Sequence, residues 1–196
     1  MPTPEDWKLY EQKRNWYERN EDPGHRAAIE AEFASRRAYT RMPIHGEVLE
    51  AFKNGRLEIG EGSHFEPHVW ITLDLENAHI RIGRGVFLNL GVMIAAQNEI
   101  TIGDHTMIAN GCFVGDALHR YDDPNVPITH QGFTSKGPVR IGSNCWLGIN
   151  VVVTSGVTIG DRCVIGANSV VTSDIPAGSI AAGAPAKVIR EIEFKQ

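Results

Sequence analysis

Residues 139–171 read VRIGSNCWLGINVVVTSGVTIGDRCVIGANSVV, and an aliphatic side chain returns at every sixth position: Ile141, Leu147, Val153, Ile159, Ile165 and Val171. Four residues after each comes a small or β-branched residue, as at Cys145, Val151, Val157, Cys163 and Ser169. Gly often follows the aliphatic residue, at Gly142, Gly148, Gly160 and Gly166. The repeat follows neither the 3.6-residue period of a helix face nor the every-second-residue alternation of a simple strand. A fixed short period marks a stacked repeat, and six is the period of one kind of parallel β-helix. Each hexad supplies a short strand and a turn, and three hexads close a triangular coil. The coils then stack at about the 4.8 Å spacing of strands.

Outward from that stretch the beat continues upstream through Ile82, Leu88 and Ile94, then Ile102, Ile108 and Val114. It is irregular at Ile59, Phe65 and Ile71, and Gln97-Asn98 adds a small bulge. From Leu118 to Pro138 it stops altogether. An unpatterned loop this long inside a regular solenoid is costly to order and is usually functional. The reading predicts a mainly β protein: a parallel β-helix over 56–181 with an excursion loop at 119–138. Residues 1–55 are charged and free of the beat, and form a helical N-terminal cap. Helices are expected over Glu5–Asn20, His25–Met42 and Gly46–Lys53, with Asp22-Pro23-Gly24 as a turn. Residues 182–196 are expected as a C-terminal tail or short helix.

The chain has 196 residues, enough for one domain and its core, and a net charge of −5, which argues against nucleic acid as a partner. No apolar run reaches the roughly 18 residues of a membrane span and no signal peptide opens the chain, so a soluble cytoplasmic protein is the expectation. Cys112, Cys145 and Cys163 all fall on the inward fifth position of a hexad, which makes them small core residues.

The hexads, the loop opening near His119, the Trp146 hexad and the tail Ala182–Arg190 together resemble the hexapeptide-repeat acyltransferases, in particular the galactoside, maltose and streptogramin O-acetyltransferases. The likeness covers about Ile82–Ile192. It implies a left-handed coil, against the usual right-handed crossover. It also implies a homotrimer that binds acetyl-CoA between neighbouring prisms and transfers its acyl group to a hydroxylated small molecule, with no metal. His119 matches the family's catalytic histidine, an imidazole suited to taking a hydroxyl proton near neutral pH. Asp116, Asp122 and Asp123 are the nearby carboxylates that could hold its other nitrogen. Asn89 matches an acceptor-binding asparagine. Trp146, Ala167, Thr172, Lys187 and Arg190 match positions that bind CoA, the last two facing phosphates. Where the sugar acetyltransferases carry an acid for their acceptor, this chain reads Ala96-Gln97. The N-terminal maltose-acetyltransferase motif is also absent, which separates its acceptor from a simple galactoside or maltose.

Two rivals share the scaffold. A γ-class carbonic anhydrase-like metal enzyme needs three gathered histidines, whereas His64, His68, His79, His105, His119 and His130 are scattered without a pair one coil apart. A non-catalytic trimeric scaffold would need neither His119 nor a donor groove.

Overall fold

A computed structural model describes residues 21–73 and 75–194. Three parallel sheets form the sides of a prism. The first contains Tyr39–Thr40, His64–Phe65, Phe87–Leu88, Met107–Ile108, Trp146–Leu147, Val164–Ile165 and Ser179–Gly183. The second contains His45–Gly46, Trp70–Leu73, Met93–Ala96, Phe113–Gly115, Val152–Val153 and Val170–Val171. The third contains Leu57–Ile59, His79–Ile82, Glu99–Ile102, Val139–Ile141 and Thr158–Ile159. The chain visits them in this order, once per coil. Below, the first edge joins the first and second sheets, the second edge joins the second and third, and the third edge returns to the first.

Register follows the beat. Leu88 lies over Ile108, Ile108 over Leu147 and Leu147 over Ile165, all pointing inward and buried. Removing such aliphatic side chains from water contributes roughly 1.5–3 kcal/mol each. The fifth-position residues have a second task. Ser63, Thr106, Cys145 and Cys163 donate to the carbonyls of Gly83, Gly142, Gly160 and Pro176 in the following coil. A small side chain with a donor therefore fits the corner and satisfies a carbonyl that would otherwise be buried unpaired. Burial pushes the Cys145 thiol up to about 11, as an inert core thiol requires.

The first coil begins at Tyr39, inside the segment expected to be a helical cap. Tyr39 pairs with His64, and His45 with Trp70. Helix α1 spans Pro23–Ser35, shorter than the expected His25–Met42, with Asp22 capping the His25 N–H. Helix α2 spans Val48–Lys53 and fills the second edge of that coil. Phe33 of α1 meets the rings of Phe52 and Phe65 edge-on, closing the open end of the prism. The expected helix at Glu5–Asn20 lies outside the described residues.

At the other end the expected tail or short helix is instead a strand. Ala186–Glu191 runs antiparallel to Ser179–Gly183 along the first sheet, because Ala182-Gly183-Ala184-Pro185 turns the chain straight back. The excursion is partly ordered as an antiparallel pair, Leu118–His119 against Phe133–Thr134. Among the described residues no helix is long and apolar enough to cross a membrane.

Candidate active site

The three prism faces differ in kind. Outward on the first sheet stand Tyr39, His64, Phe87, Met107, Trp146, Val164 and Ile180 in register. Outward on the second stand His45, Trp70, Met93, Phe113, Val152 and Val170. The third face is an ion-pair ladder instead: Arg81 meets Glu58 and Glu99, and Arg140 meets Glu99. A groove of about 590 Å³ beside that ladder is lined by Glu58, Arg81, Thr101 and Asp104 and contains none of the expected site residues.

The expected residues divide between two edges. Asn89 follows the strand Phe87–Leu88 and so lies on the first edge, where its N–H and its Nδ2 both donate to the Ile108 carbonyl. Ala167 sits exposed on the same edge near the far end. Trp146 projects from the first sheet, 53% exposed, between Met107 and Val164. Lys187 and Arg190 lie on the added antiparallel strand of that sheet, opposite Ala182 and Ile180. Thr172, by contrast, follows Val171 on the second edge, and the His119 excursion leaves from that edge too, after Phe113–Gly115. Within one protomer the second sheet lies between the edge that carries Asn89 and the edge from which the His119 excursion leaves.

His119 is exposed, and its ring centroid lies 4.5 Å from that of Phe133. None of the three nearby aspartates is held in reserve for it. Asp122 pairs with Arg120, and Asp123 accepts from the Asn125 N–H while its own backbone joins Gln131. Asp116 is fully buried, and its carboxylate accepts the N–H groups of Gln97, Asn98 and Glu99. Its carbonyl accepts from the Ser155 hydroxyl. Asp116 is thus the anchor of the excursion, tying its root to the bulge at residues 97–98. Gln97 Oε1 is buried there with no partner among the described residues.

One row of residues stacks along the first edge, each immediately after its strand: Arg41, Glu66, Asn89, Ala109, Gly148 and Gly166. Each donates its N–H to the next coil, to Phe65, Leu88, Ile108, Leu147, Ile165 and Ala181 respectively. The row is charged or polar toward the N-terminal end and nearly free of side chains toward the other. Glu66 accepts from His64 Nε2 at 3.0 Å and from Arg41 Nη1 at 3.4 Å. This cluster was not singled out in the sequence. Its signal was Glu66 in the same hexad slot as Asn89, concealed by the irregular beat around Phe65.

His45 also escaped the sequence reading; its Nε2 lies 3.1 Å from His68 Nδ1. Among the described residues no group of three His, Cys, Asp or Glu side chains has the geometry of a metal site.

The bacterial transferase hexapeptide family, built of six repeats, matches residues 138–173. Galactoside O-acetyltransferase of Escherichia coli is 39% identical over 138 residues, 68% of this chain and 63% of that one. Across the first curated relatives the match spans about half of their length, from 44 to 63%. The solved maltose O-acetyltransferase of Clostridium difficile superposes with a TM-score of 0.62 at 34% identity, covering 74% of this chain and 75% of that one. A galactoside acetyltransferase solved with coenzyme A gives 0.61 at 36% identity, covering 74 and 70%. With these relatives the coil's hand is settled: the prism is a left-handed parallel β-helix. The chain therefore belongs to the hexapeptide-repeat transferase family that includes the galactoside and maltose O-acetyltransferases.

Proposed function

We propose that this protein is a homotrimeric O-acyltransferase that moves an acetyl group from acetyl-CoA directly to a hydroxyl of a sugar or similar small molecule. The observation that carries the reading is its 34–39% identity to O-acetyltransferases over 68–74% of its length. Because acyl-CoA donors are intracellular, the cytoplasm is its proposed compartment.

The two-edge division favours an active site shared between protomers. His119 and Thr172 of one chain would face Asn89, Trp146 and Ala167 of its neighbour across a cleft. The apolar columns on the first and second faces support such packing, as do exposed Tyr121, Ile128 and Phe133 on the excursion. In the nearly side-chain-free half of the first edge, CoA would lie against backbone, flanked by Trp146 and ending at Lys187 and Arg190, whose cations suit its phosphates.

In the reaction the acceptor hydroxyl gives its proton to a His119 ring nitrogen as its oxygen attacks the thioester carbonyl. The resulting oxyanion needs a hydrogen-bond donor, and the Asn89 carboxamide is the candidate. Collapse re-forms the carbonyl, breaks the C–S bond and expels CoA thiolate, which recovers the proton from the imidazolium. No covalent enzyme intermediate is needed.

The test is thiol release from acetyl-CoA with a panel of sugars, glycosides and hydroxylated antibiotics, using wild type and His119→Ala. The substitution should lower turnover by about two orders of magnitude or more while CoA affinity, read by calorimetry, is retained. Near wild-type turnover in His119→Ala would remove the imidazole from the mechanism.

A further inference from the structure

We propose that Glu66, held by His64 and Arg41, selects a neutral polyhydroxylated acceptor by accepting hydroxyls that neighbour the one acylated. The inference rests on the O-acyltransferase reading and deepens it by naming a residue that selects the acceptor. Three observations combine. First, Glu66 occupies the same slot on the first edge as Asn89, one coil away, with Phe65 over Leu88 and the Glu66 N–H bound to the Leu88 carbonyl at 2.9 Å. Coil spacing places the two backbones about 4.8 Å apart, close enough for one pyranose ring to reach both side chains.

Second, the carboxylate is oriented rather than loose. Its side chain is only 18% exposed, and one oxygen takes the His64 Nε2–H while the other takes Arg41. The His64 ring is itself wedged in the first-face column, 4.9 Å from Phe87 with planes 8° apart and 6.4 Å from Tyr39. Third, a carboxylate offers about four acceptor positions. His64 and Arg41 use two, and the remaining lone pairs suit two adjacent hydroxyl donors. The Arg41 cation already balances the charge, so the site calls for a neutral diol.

Glu66 and Arg41 end where the side-chain-free half of the same edge begins, with Asn89 at the junction. A donor lying along Ala109, Gly148 and Gly166 would thus present its thioester toward Asn89, with the acceptor's remaining hydroxyls extending to Glu66. Here Glu66 binds substrate, and His64 acts through it as a positioning residue.

The experiment titrates methyl β-D-glucopyranoside, and its 2-, 3- and 4-deoxy analogues, into the CoA-saturated full-length protein, with binding followed by ligand-observed NMR. Glu66→Gln should weaken the glycoside about tenfold or more, as expected for loss of a charge-assisted hydrogen bond, while CoA affinity and melting temperature are unchanged. His64→Gln should raise KM for the glycoside and leave kcat within about twofold. At least one deoxy analogue should lose wild-type affinity by a similar factor, a readout that needs no variant to fold. The proposal is overturned if Glu66→Gln binds as wild type does, if all deoxy analogues bind equally, or if wild type binds no glycoside. Acetyl transfer that ignores Glu66 defeats this inference alone. Glu66-dependent binding without acetyl transfer defeats the acyltransferase reading alone.

Discussion

A carboxylate with no exposure needs partners, and Asp116 finds three backbone N–H groups at residues 97–99. Asp116→Ala strands all three, so we predict a stability loss of about 3 kcal/mol or more by denaturant unfolding, with Asp116→Asn intermediate. Acetyl transfer should fall with it through the His119 excursion, whereas CoA affinity should hold because the first edge is untouched. Wild-type stability in Asp116→Ala would show that the bulge is held by other contacts. His45 supplies a second expectation. Burial first, then His68, holds its pKa below the ordinary value of about 6.5; Glu21 opposes this and Arg26 adds to it. Below about pH 6.5 the unfolded chain therefore binds more protons than the folded one, and stability falls as pH drops. His45→Gln should flatten that slope between pH 6.5 and 5, measured by thermal melts across the range; an unchanged slope would assign the acid loss elsewhere. Neither role was readable in the sequence. Asp116 was one of three acids near His119, and only the fold shows that its oxygens are taken; His45 lay in a segment with no beat.

Coil stacking depends on glycines that follow the inward aliphatic residue. A Cβ on Gly103 would stand 2.6 Å from both the Gly142 carbonyl carbon and the Ser143 backbone nitrogen, so the next coil has to move. A Cβ on Gly91 meets nothing within 4 Å, and there only its φ of +68° opposes substitution. We predict that Gly103→Ala costs about 1–3 kcal/mol, as overpacked sites do, and Gly91→Ala about 1 kcal/mol. Equal melting temperatures for the two would mean the coils are looser than their register. The same geometry explains what the sequence revealed of the fold. From Ile82 onward most corners have one length, so the six-residue beat is visible and gave the coils correctly. Earlier coils repeat at longer intervals, Tyr39 to His64 and His64 to Phe87, because the Pro43 corner, α2 and the turn near Asn77 add residues between strands. The inward pattern survives there, but its period does not, and residues 39–55 read as part of a cap. The last strand was hidden for another reason: its residues 187–191 are all exposed, so no alternation marks it.

At the scale of the whole molecule the question is what two unlike apolar faces are for. A twofold dimer uses one face twice and leaves the other bare. The proposed threefold ring would turn the second face of each protomer toward the axis, setting its second edge beside the first edge and first face of the next and sheltering both apolar columns. The charged third face, with Arg81 and Arg140 already paired to Glu58 and Glu99, remains outside. The ring also unites residues that the fold keeps apart, since His119 leaves from the second edge and Asn89 lies on the first. Motif matching could name each residue but not this division, which depends on counting corners around the prism. The arrangement predicts a solution mass three times that of the monomer by light scattering, reduced to the monomer in Met107→Glu/Phe113→Glu with the β signal in circular dichroism retained. It also predicts complementation. His119→Ala and Asn89→Ala should each be nearly inactive alone. Unfolded together in equal amounts and refolded, they should form mixed trimers in which about one site in four draws an intact His119 and an intact Asn89 from different chains. Recovery of about a quarter of wild-type turnover fits a shared cleft. No recovery from folded mixed trimers would place both residues in one chain's site, and the division between edges would then have no catalytic meaning.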